Sequence, residues 1–307
     1  MKANRTAWLM LIISTFFWGS NFNVAQVLAS RAEPLTAAAE RFSIALVLFL
    51  LFRAWQGKAE SSLQWRDALV LVPLGLIGVF GFNFAFFTAM HTTIALNAAL
   101  IMALSPMLSL LLSGWLLKTS INATQMLGIA VAFVGVSLVI TGGNFSTLHI
   151  ATGDIWMLGA CFVWSVYTVG SRRFAAHIPP QQFSRWTVSI GAVALVIAAT
   201  IQESPFAAMT QLSLSTHAIL LYMGSCGTVL AYIFWVHGVR HLGPDKTAVS
   251  FNLVPLFTLL VSVATGTLPN TAQLLGIVVV LFGVLINMGW IKLRRSSPAA
   301  IPVTCKN

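Results

Sequence analysis

Ser105-Pro106-Met107-Leu108-Ser109, leading to Gln125-Met126-Leu127-Gly128-Ile129, returns later in the chain as Val254-Pro255-Leu256-Phe257-Thr258, leading to Gln273-Leu274-Leu275-Gly276-Ile277. Behind each Gln comes a second echo, Val131-Ala132-Phe133-Val134-Gly135-Val136 against Val279-Val280-Leu281-Phe282-Gly283-Val284, with a one-residue slip between them. The match runs through two consecutive apolar segments, so the chain is built twice on one plan. The reading divides it into a first repeat, 1–148, a second repeat, 149–293, and a tail, 294–307.

Composition says what solvent the repeats meet. Apolar residues make up 58% of the 307 and charged residues 8%, with mean hydropathy +0.87, far from the roughly 25% charged residues of soluble domains. A helix needs about 20 apolar residues to cross a bilayer core of about 30 Å. Ten such segments are legible, near 7–29, 34–55, 68–90, 93–117, 122–142, 151–172, 182–202, 214–238, 245–266 and 271–292. The expected fold class is therefore an all-α integral membrane protein of ten transmembrane helices, arranged as two five-helix repeats with the lipid bilayer as partner.

The net charge of +10 invites a nucleic-acid reading, and the placement of the charges argues against it. On the ten-span map 15 of the 17 basic residues fall on one side, among them Lys2, Arg5, Arg53, Arg66, Arg172, Arg173, Arg240 and the cluster Lys292, Arg294, Arg295. Only Arg31 falls opposite, and Arg41 sits inside the second span. The positive-inside rule then puts both termini in the cytoplasm, and an odd number of spans would scramble the asymmetry. Cys161 and Cys226 fall within spans and Cys305 in the tail, which offers no disulfide on an oxidising side. The first apolar run is read as a helix and not a cleaved signal peptide, because it has a counterpart in the second half.

Five spans per repeat is an odd number, so the second repeat enters the membrane upside down relative to the first. Inverted repeats are a common plan of secondary transporters, with the substrate near the bilayer midplane between the halves. A membrane enzyme needs a catalytic cluster, and the chain has no His-x-x-x-His pair, Gly-x-Ser-x-Gly turn, carboxylate dyad or phosphate loop. No catalytic residue, cofactor or metal site is expected. A channel shares this sequence logic, and a non-transporting scaffold is the alternative from another class.

Trp18-Gly19-Ser20-Asn21 in the first span, Pro34 followed by Arg41 in the second, the small-residue segment ending in Pro106, the Gln-x-Leu-Gly start of the fifth, and the repetition of most of this in the second half resemble the EamA family of the drug/metabolite transporter superfamily. The resemblance covers about residues 7–292. It implies ten helices, a bacterial inner-membrane location and, most often, export of metabolites or amino acids. Relatives usually carry a Gly-Glu pair about six residues before each Gln, where this chain has Thr119 and Thr267.

Arg41 is the leading candidate for a small-molecule substrate, since a charge two turns inside the membrane costs a few kcal/mol unless paired or hydrated. Its repeat partner Arg185 is expected near the opposite mouth, as a gate or as a snorkelling anchor. Glu40 is a candidate for proton coupling or for a structural pairing with another helix, and Asp154 for coupling or for a helix cap. Asn21, Asn23, Asn83, Asn97 and Asn252 are amides inside apolar runs, suited to line a pathway or to bond neighbouring helices. Trp18 and Trp164, Tyr167, and the matched Phe84 and Tyr232 offer aromatic walls for an amphipathic solute. Pro106 and Pro255 are expected hinges, and Gly75, Gly78, Gly81, Gly224 and Gly227 close-contact faces. His91, His237 and His241 are too scattered for a metal site. The functional expectation is a secondary exporter of amino acids or similar amphipathic metabolites by alternating access, with proton-coupled multidrug efflux as the runner-up.

Overall fold

The computed structural model describes residues 2–57, 63–118, 120–143, 151–243, 247 and 250–287. Every element among them is helical: α1 (Lys2–Ala29), α2 (Pro34–Gln56), α3 (Trp65–Met90), α4 (Ala95–Leu116), α5 (Ala123–Thr141), α6 (Thr152–Phe174), α7 (Pro180–Gln202), α8 (Leu214–Leu242), α9 (Leu253–Ala264) and α10 (Thr271–Asn287), with a short helix at Pro205–Gln211. Six of these, α2, α3, α4, α5, α7 and α8, are long and apolar enough to cross a membrane; α9 and α10 are shorter apolar helices. α1 and α6 have the length, and their polar side chains face inward instead of lipid: Asn21 and Ser14 on α1, Asp154 and Ser165 on α6 are buried. Large apolar side chains such as Leu9, Leu51, Ile197, Leu260 and Val278 lie on the outside, as a lipid-facing surface requires.

The packing has internal two-fold character. α1 packs on α8 and α9, and α6 packs in the same way on α3 and α4; α2 pairs with α7, α4 with α9, and α5 with α10. Exchanging each element for the one five later leaves this pattern unchanged. The α5–α10 pair is the most extensive of these contacts, and its seam consists of the glycines of the repeated motif. A Cβ on Gly128 would lie 2.7 Å from the Gly283 carbonyl oxygen, and one on Gly283 2.7 Å from that of Gly128. Gly135 and Gly276 form the second reciprocal pair, at 3.0 and 2.8 Å. Without side chains the two backbones come into direct contact, which is how helices associate where lipid removes the hydrophobic drive.

The repeated Gln has a local role. Asn122 accepts from the Gln125 amide at 2.8 Å while Gln125 Oε1 accepts from the Asn122 N–H at 2.9 Å, and Asn270 with Gln273 forms the same reciprocal cap at 2.8 and 2.9 Å. These boxes satisfy backbone donors at the starts of α5 and α10. Thr267, at the end of α9, donates its backbone N–H to Ser262 O at 2.8 Å after the left-handed Gly266; Thr119 lies outside the described residues.

The proline readings separate. Pro106 does not bend a continuous helix: α4 breaks at Ala103–Leu104 and restarts at Ser105, so Pro106 occupies the first turn, where its missing N–H is harmless. Side chains of α6 take up carbonyls around the break, Cys161 Sγ donating to Ile101 O at 3.4 Å and Ser165 Oγ to Ser105 O at 3.1 Å. Pro255 sits likewise in the first turn of α9. α3 and α8 instead change pitch, each containing a π-helical segment, Leu76–Gly81 and Ser225–Leu230.

Replacing Gly283 with Val forces the α5 and α10 backbones apart and should cost about 1–3 kcal/mol or more, read as a lower melting temperature and loss of the monodisperse peak in detergent. Gly159→Ala, where a Cβ meets nothing within 4 Å, should be neutral or stabilising by up to about 1 kcal/mol.

Candidate functional site

A cavity of about 400 Å³ lies between the two repeats, lined by residues of α1, α2, α3, α4, α6, α7, α8 and α9 and by none of α5 or α10. The four residues of Trp18-Gly19-Ser20-Asn21 have four separate tasks around it. Trp18 forms wall, its ring 5.0 Å from Trp235 and 5.5 Å from Phe251. Gly19 lets α1 touch α9, where a Cβ would lie 2.8 Å from the Val254 carbonyl oxygen. Ser20 Oγ bonds Tyr222 Oη at 2.6 Å. Asn21 points inward, its Nδ2 donating to Gly227 O at 3.3 Å.

Gly227 belongs to the π-helical segment of α8, and a Cβ there would strike the Asn21 amide; on the other repeat a Cβ on Gly78 would strike the Tyr167 ring. Thus α1 and α6 each press one cavity side chain onto a widened turn of the opposing repeat. π-helical turns recur at functional sites because they displace side chains and carbonyls from the regular ladder. The two segments also set the register between repeats: Gly78 matches Gly227, so Asn83 and not Phe84 is the counterpart of Tyr232. Asn83 and Tyr232 line the cavity, whereas Phe84 stacks on Phe80 and meets Trp156 edge-on outside it.

Arg41 is buried at 8% exposure and reaches the cavity. Its Nε donates to Thr228 Oγ1 at 3.2 Å, and its guanidinium carbon lies 5.3 and 5.9 Å from the centroids of Phe42 and Phe87. Thr228 Oγ1 in turn donates to Met223 O at 3.0 Å. Among the described residues no carboxylate stands within ion-pair distance of Arg41, and the cavity lining contains none. Two lining amides are half satisfied: Asn83 Nδ2 donates to Val79 O at 2.8 Å, while Oδ1 of Asn21 and of Asn83 is buried without a hydrogen-bond partner. Around these polar atoms stand Trp18, Phe22, Phe82, Phe86, Trp164 and Tyr167. A desolvated cation and two unused acceptors inside an aromatic wall make a site complementary to an anionic group and N–H or O–H donors on one amphipathic molecule.

Other expected site residues lie elsewhere. Asn97 accepts from Gln273 Nε2 at 3.2 Å, joining α4 to α10. Asn252 is buried at the start of α9, off the lining. Asn23 bonds α1 to α9, donating to Thr258 O at 3.1 Å and accepting from Ser262 Oγ at 2.6 Å. Asp154 bonds Thr93 Oγ1 and is buried, which ties the α3–α4 connection to the first turn of α6. Arg185 is buried beside the Trp186 ring, at 5.8 Å, and its neighbour Ser184, not Arg185, lines the cavity. Pro255 lines it and Pro106 does not. His237 and His241 stack on each other at 4.0 Å and His91 caps the end of α3; no group of three metal-ligating side chains occurs among the described residues.

Two residues passed over in the sequence reading hold the end of the bundle beyond Arg41. Glu203 accepts from the backbone N–H of Leu35 at 3.0 Å and Thr36 at 2.7 Å, capping α2 from the end of α7. His217, in the first turn of α8, bonds Glu40 Oε1 at 2.6 Å. Glu40 therefore has the partner on another helix that one of its two readings required.

The match to known proteins follows the same division of the chain. The EamA-like transporter family matches residues 5–141 and 151–289. The chain belongs to this family. An uncharacterized transporter of Bacillus subtilis (strain 168), YyaM, is 34% identical over 291 residues, 94% of this chain and 95% of that protein. A probable amino-acid metabolite efflux pump of Salmonella typhimurium is 25% identical over 297 residues, 94% and 96% of the two chains, and an uncharacterized inner membrane transporter, YicL, from the same organism is 24% identical over 267 residues, 85% and 88%. One solved crystal structure superposes with a TM-score of 0.66 at 20% identity over 92% of this chain and 96% of its own, which shows the shared fold. This EamA protein is thus a multi-pass membrane transporter.

If Arg41 is kept for binding and not for folding, Arg41→Met should melt at or above the wild-type temperature, because an apolar side chain of similar length removes a buried, incompletely paired charge. A fall of more than about 4 °C, the scale of 1 kcal/mol or more in a chain this size, would mark Arg41 as structural.

Proposed function

We propose that the protein is a secondary transporter of a bacterial inner membrane that exports amino acids or closely related amphipathic metabolites by alternating access. In this reading the chain crosses the bilayer ten times as two inverted five-helix repeats, both termini are cytoplasmic, and no catalysis is involved. The observation that carries the substrate class is the cavity: the Arg41 guanidinium for a carboxylate, the unused Oδ1 atoms of Asn21 and Asn83 for the hydrogens of an amino or hydroxyl group, and Trp18, Phe86, Trp164 and Tyr167 for an apolar body. The name of the Salmonella relative supports the same class. Multidrug efflux fits less well, because among the described residues the lining holds no carboxylate to meet a cationic drug.

The ends of the cavity suggest the state. It reaches Pro180, the first residue of α7, but stops on α2 at Arg41, two turns inside that helix. With the α7 start on the cytoplasmic side, this is an inward-leaning conformation, sealed beyond Arg41 by the Glu40–His217 and Glu203 contacts. Tyr232 Oη donates to Pro180 O at 2.9 Å and forms part of the inner rim. Substrate loading from the cytoplasm would be followed by rocking of the repeats about the α5–α10 seam, which borders no part of the cavity.

The test compares small-molecule profiles of cells and medium for cells producing the intact protein, the Arg41→Ala form at equal membrane level, and neither. A compound enriched outside only with the intact protein identifies a substrate, and its gradient should fall by about tenfold or more in the variant, the scale of one lost charge-assisted hydrogen bond. Equal profiles for both forms, differing from the empty control, would remove Arg41 from the site. Gly227→Ala, which displaces the Asn21 amide, should reduce the same gradient without lowering the amount of protein in the membrane.

A further inference from the structure

Glu40 and His217 come from different repeats, 177 positions apart, and meet at 2.6 Å at the end of the bundle that the cavity does not reach. The other ring nitrogen, Nε2, lies 3.1 Å from the backbone carbonyl of Met209 in the short helix Pro205–Gln211. A carbonyl oxygen only accepts, so Nε2 carries a hydrogen. Nδ1 then faces Glu40 Oε1, and this contact closes only if one more proton lies between them, held as imidazolium and carboxylate or as imidazole and carboxylic acid. Without it, a carboxylate oxygen and an imidazole lone pair oppose each other at hydrogen-bond distance. The second carboxylate oxygen, Oε2, is buried without a partner and gives Glu40 no alternative hold.

We propose that Glu40 and His217 form a one-proton binding site that latches the two repeats together at the outer mouth, so that the mouth is closed while the proton is bound and released when it leaves. The proposal rests on the transporter reading only for which end is outer. Other charged groups on the elements around it are already engaged or turned elsewhere. Arg41, the next residue on α2, points about 100° away to Thr228. Glu203 on α7 is held by the Leu35 and Thr36 amides. Arg31 in the α1–α2 connection reaches Ser215 Oγ at 3.5 Å, and Glu33, at the N-cap position of α2, lies about two turns along the helix from Glu40. The short helix carries no titratable side chain, and on α8 Tyr222 is bonded to Ser20.

The latch senses the outer medium and does not carry its proton across. The His217 side chain keeps 36% of its exposure, against 10% for Glu40, in the closed arrangement, so the ring is the more accessible member of the pair for proton exchange. The direction follows from linkage: the closed state binds one more proton than the open one, so closure is favoured at low pH and lost as pH rises through the imidazole range, the closed-to-open ratio falling about tenfold per pH unit.

The experiment measures the mouth directly. Spin labels at Ser30→Cys and Gln211→Cys, both exposed positions flanking the pair, are introduced into the full chain in lipid nanodiscs, with Cys161, Cys226 and Cys305 replaced by alanine. Distance distributions are recorded between about pH 5.5 and about pH 8.5. A single short distance at low pH giving way to a longer one at high pH, with the slope of one proton, is the expected result. Glu40→Gln, whose amide donates to Nδ1 without a titrating proton, should stay closed throughout; His217→Ala should be open throughout. A pH-independent wild-type distance, or titration that survives Glu40→Gln, overturns the latch. In liposomes holding a pH-sensitive dye, external acidification should acidify the lumen no faster with wild-type than with Glu40→Gln; faster entry with wild-type would make the proton cargo and overturn the sensing role. None of these readouts needs the exported solute, so failure of the substrate assignment leaves them interpretable.

Discussion

Helix backbones inside a membrane gain little from hiding apolar side chains from one another, since lipid is as apolar as leucine, and they associate where they can come close. In this protein closeness is set by glycine. Gly128 and Gly135 on α5 meet Gly283 and Gly276 on α10, Gly19 meets the start of α9, and Gly227 and Gly78 receive Asn21 and Tyr167. The first group makes a seam that borders no solute space. The others hold α1 and α6 against the opposing repeat at the depth where the cavity lies. The same constraint therefore ties the repeats together and positions the walls between them, and a methyl group at any of these points meets backbone or a cavity side chain.

Buried polar atoms sort into two populations. Most are consumed in joining helices: Ser14 Oγ on the Ala231 carbonyl at 2.8 Å, Thr258 Oγ1 on that of Gly19 at 2.9 Å, Asn23 with Ser262, and Ser165 with Ser105. Such bonds satisfy carbonyls that hydrocarbon cannot. A few in the cavity are left with capacity to spare, namely the Arg41 guanidinium and the Oδ1 atoms of Asn21 and Asn83. Thr36 Oγ1, Thr88 Oγ1 and Glu40 Oε2, all off the cavity lining, are buried without a partner as well, so an unused buried acceptor, at a cost of about 1–3 kcal/mol, does not by itself mark a solute site. What sets Asn21 and Asn83 apart is that their unused Oδ1 atoms stand with Arg41 on the lining of one cavity.

Much of this was legible in one dimension. The repeat, the membrane class and the family resemblance follow from the Pro, Gln and Gly spacing and from the scarcity of charge, and Trp18, Asn21, Arg41, Asn83, Trp164, Tyr167, Tyr232 and Pro255 all reach the cavity. Asn97, Asn252 and Arg185 were equally plausible by residue type and are off the lining, because an amide or guanidinium in an apolar run signals only that it needs a partner, not whether that partner is a helix or a solute. Phe84 was matched to Tyr232 as one aromatic to another, whereas Gly78 with Gly227 and the π-helical turns of α3 and α8 all fall at the one offset that pairs Asn83 with Tyr232. His217 gave no signal: nothing nearby in sequence marks it, and its partner Glu40 lies in the other repeat.

The amino-acid sequence by itself determined the solvent, the repetition and the small set of side chains able to bind a solute, since those depend on hydropathy, periodicity and residue chemistry, which are local. Only the tertiary structure decided which polar atoms remain unused, which end of the cavity is closed, and that Glu40 meets His217. Those are properties of pairs brought together from opposite repeats, and the distance between two side chains on different helices is set by backbone approach and helix pitch, not by anything written beside either residue.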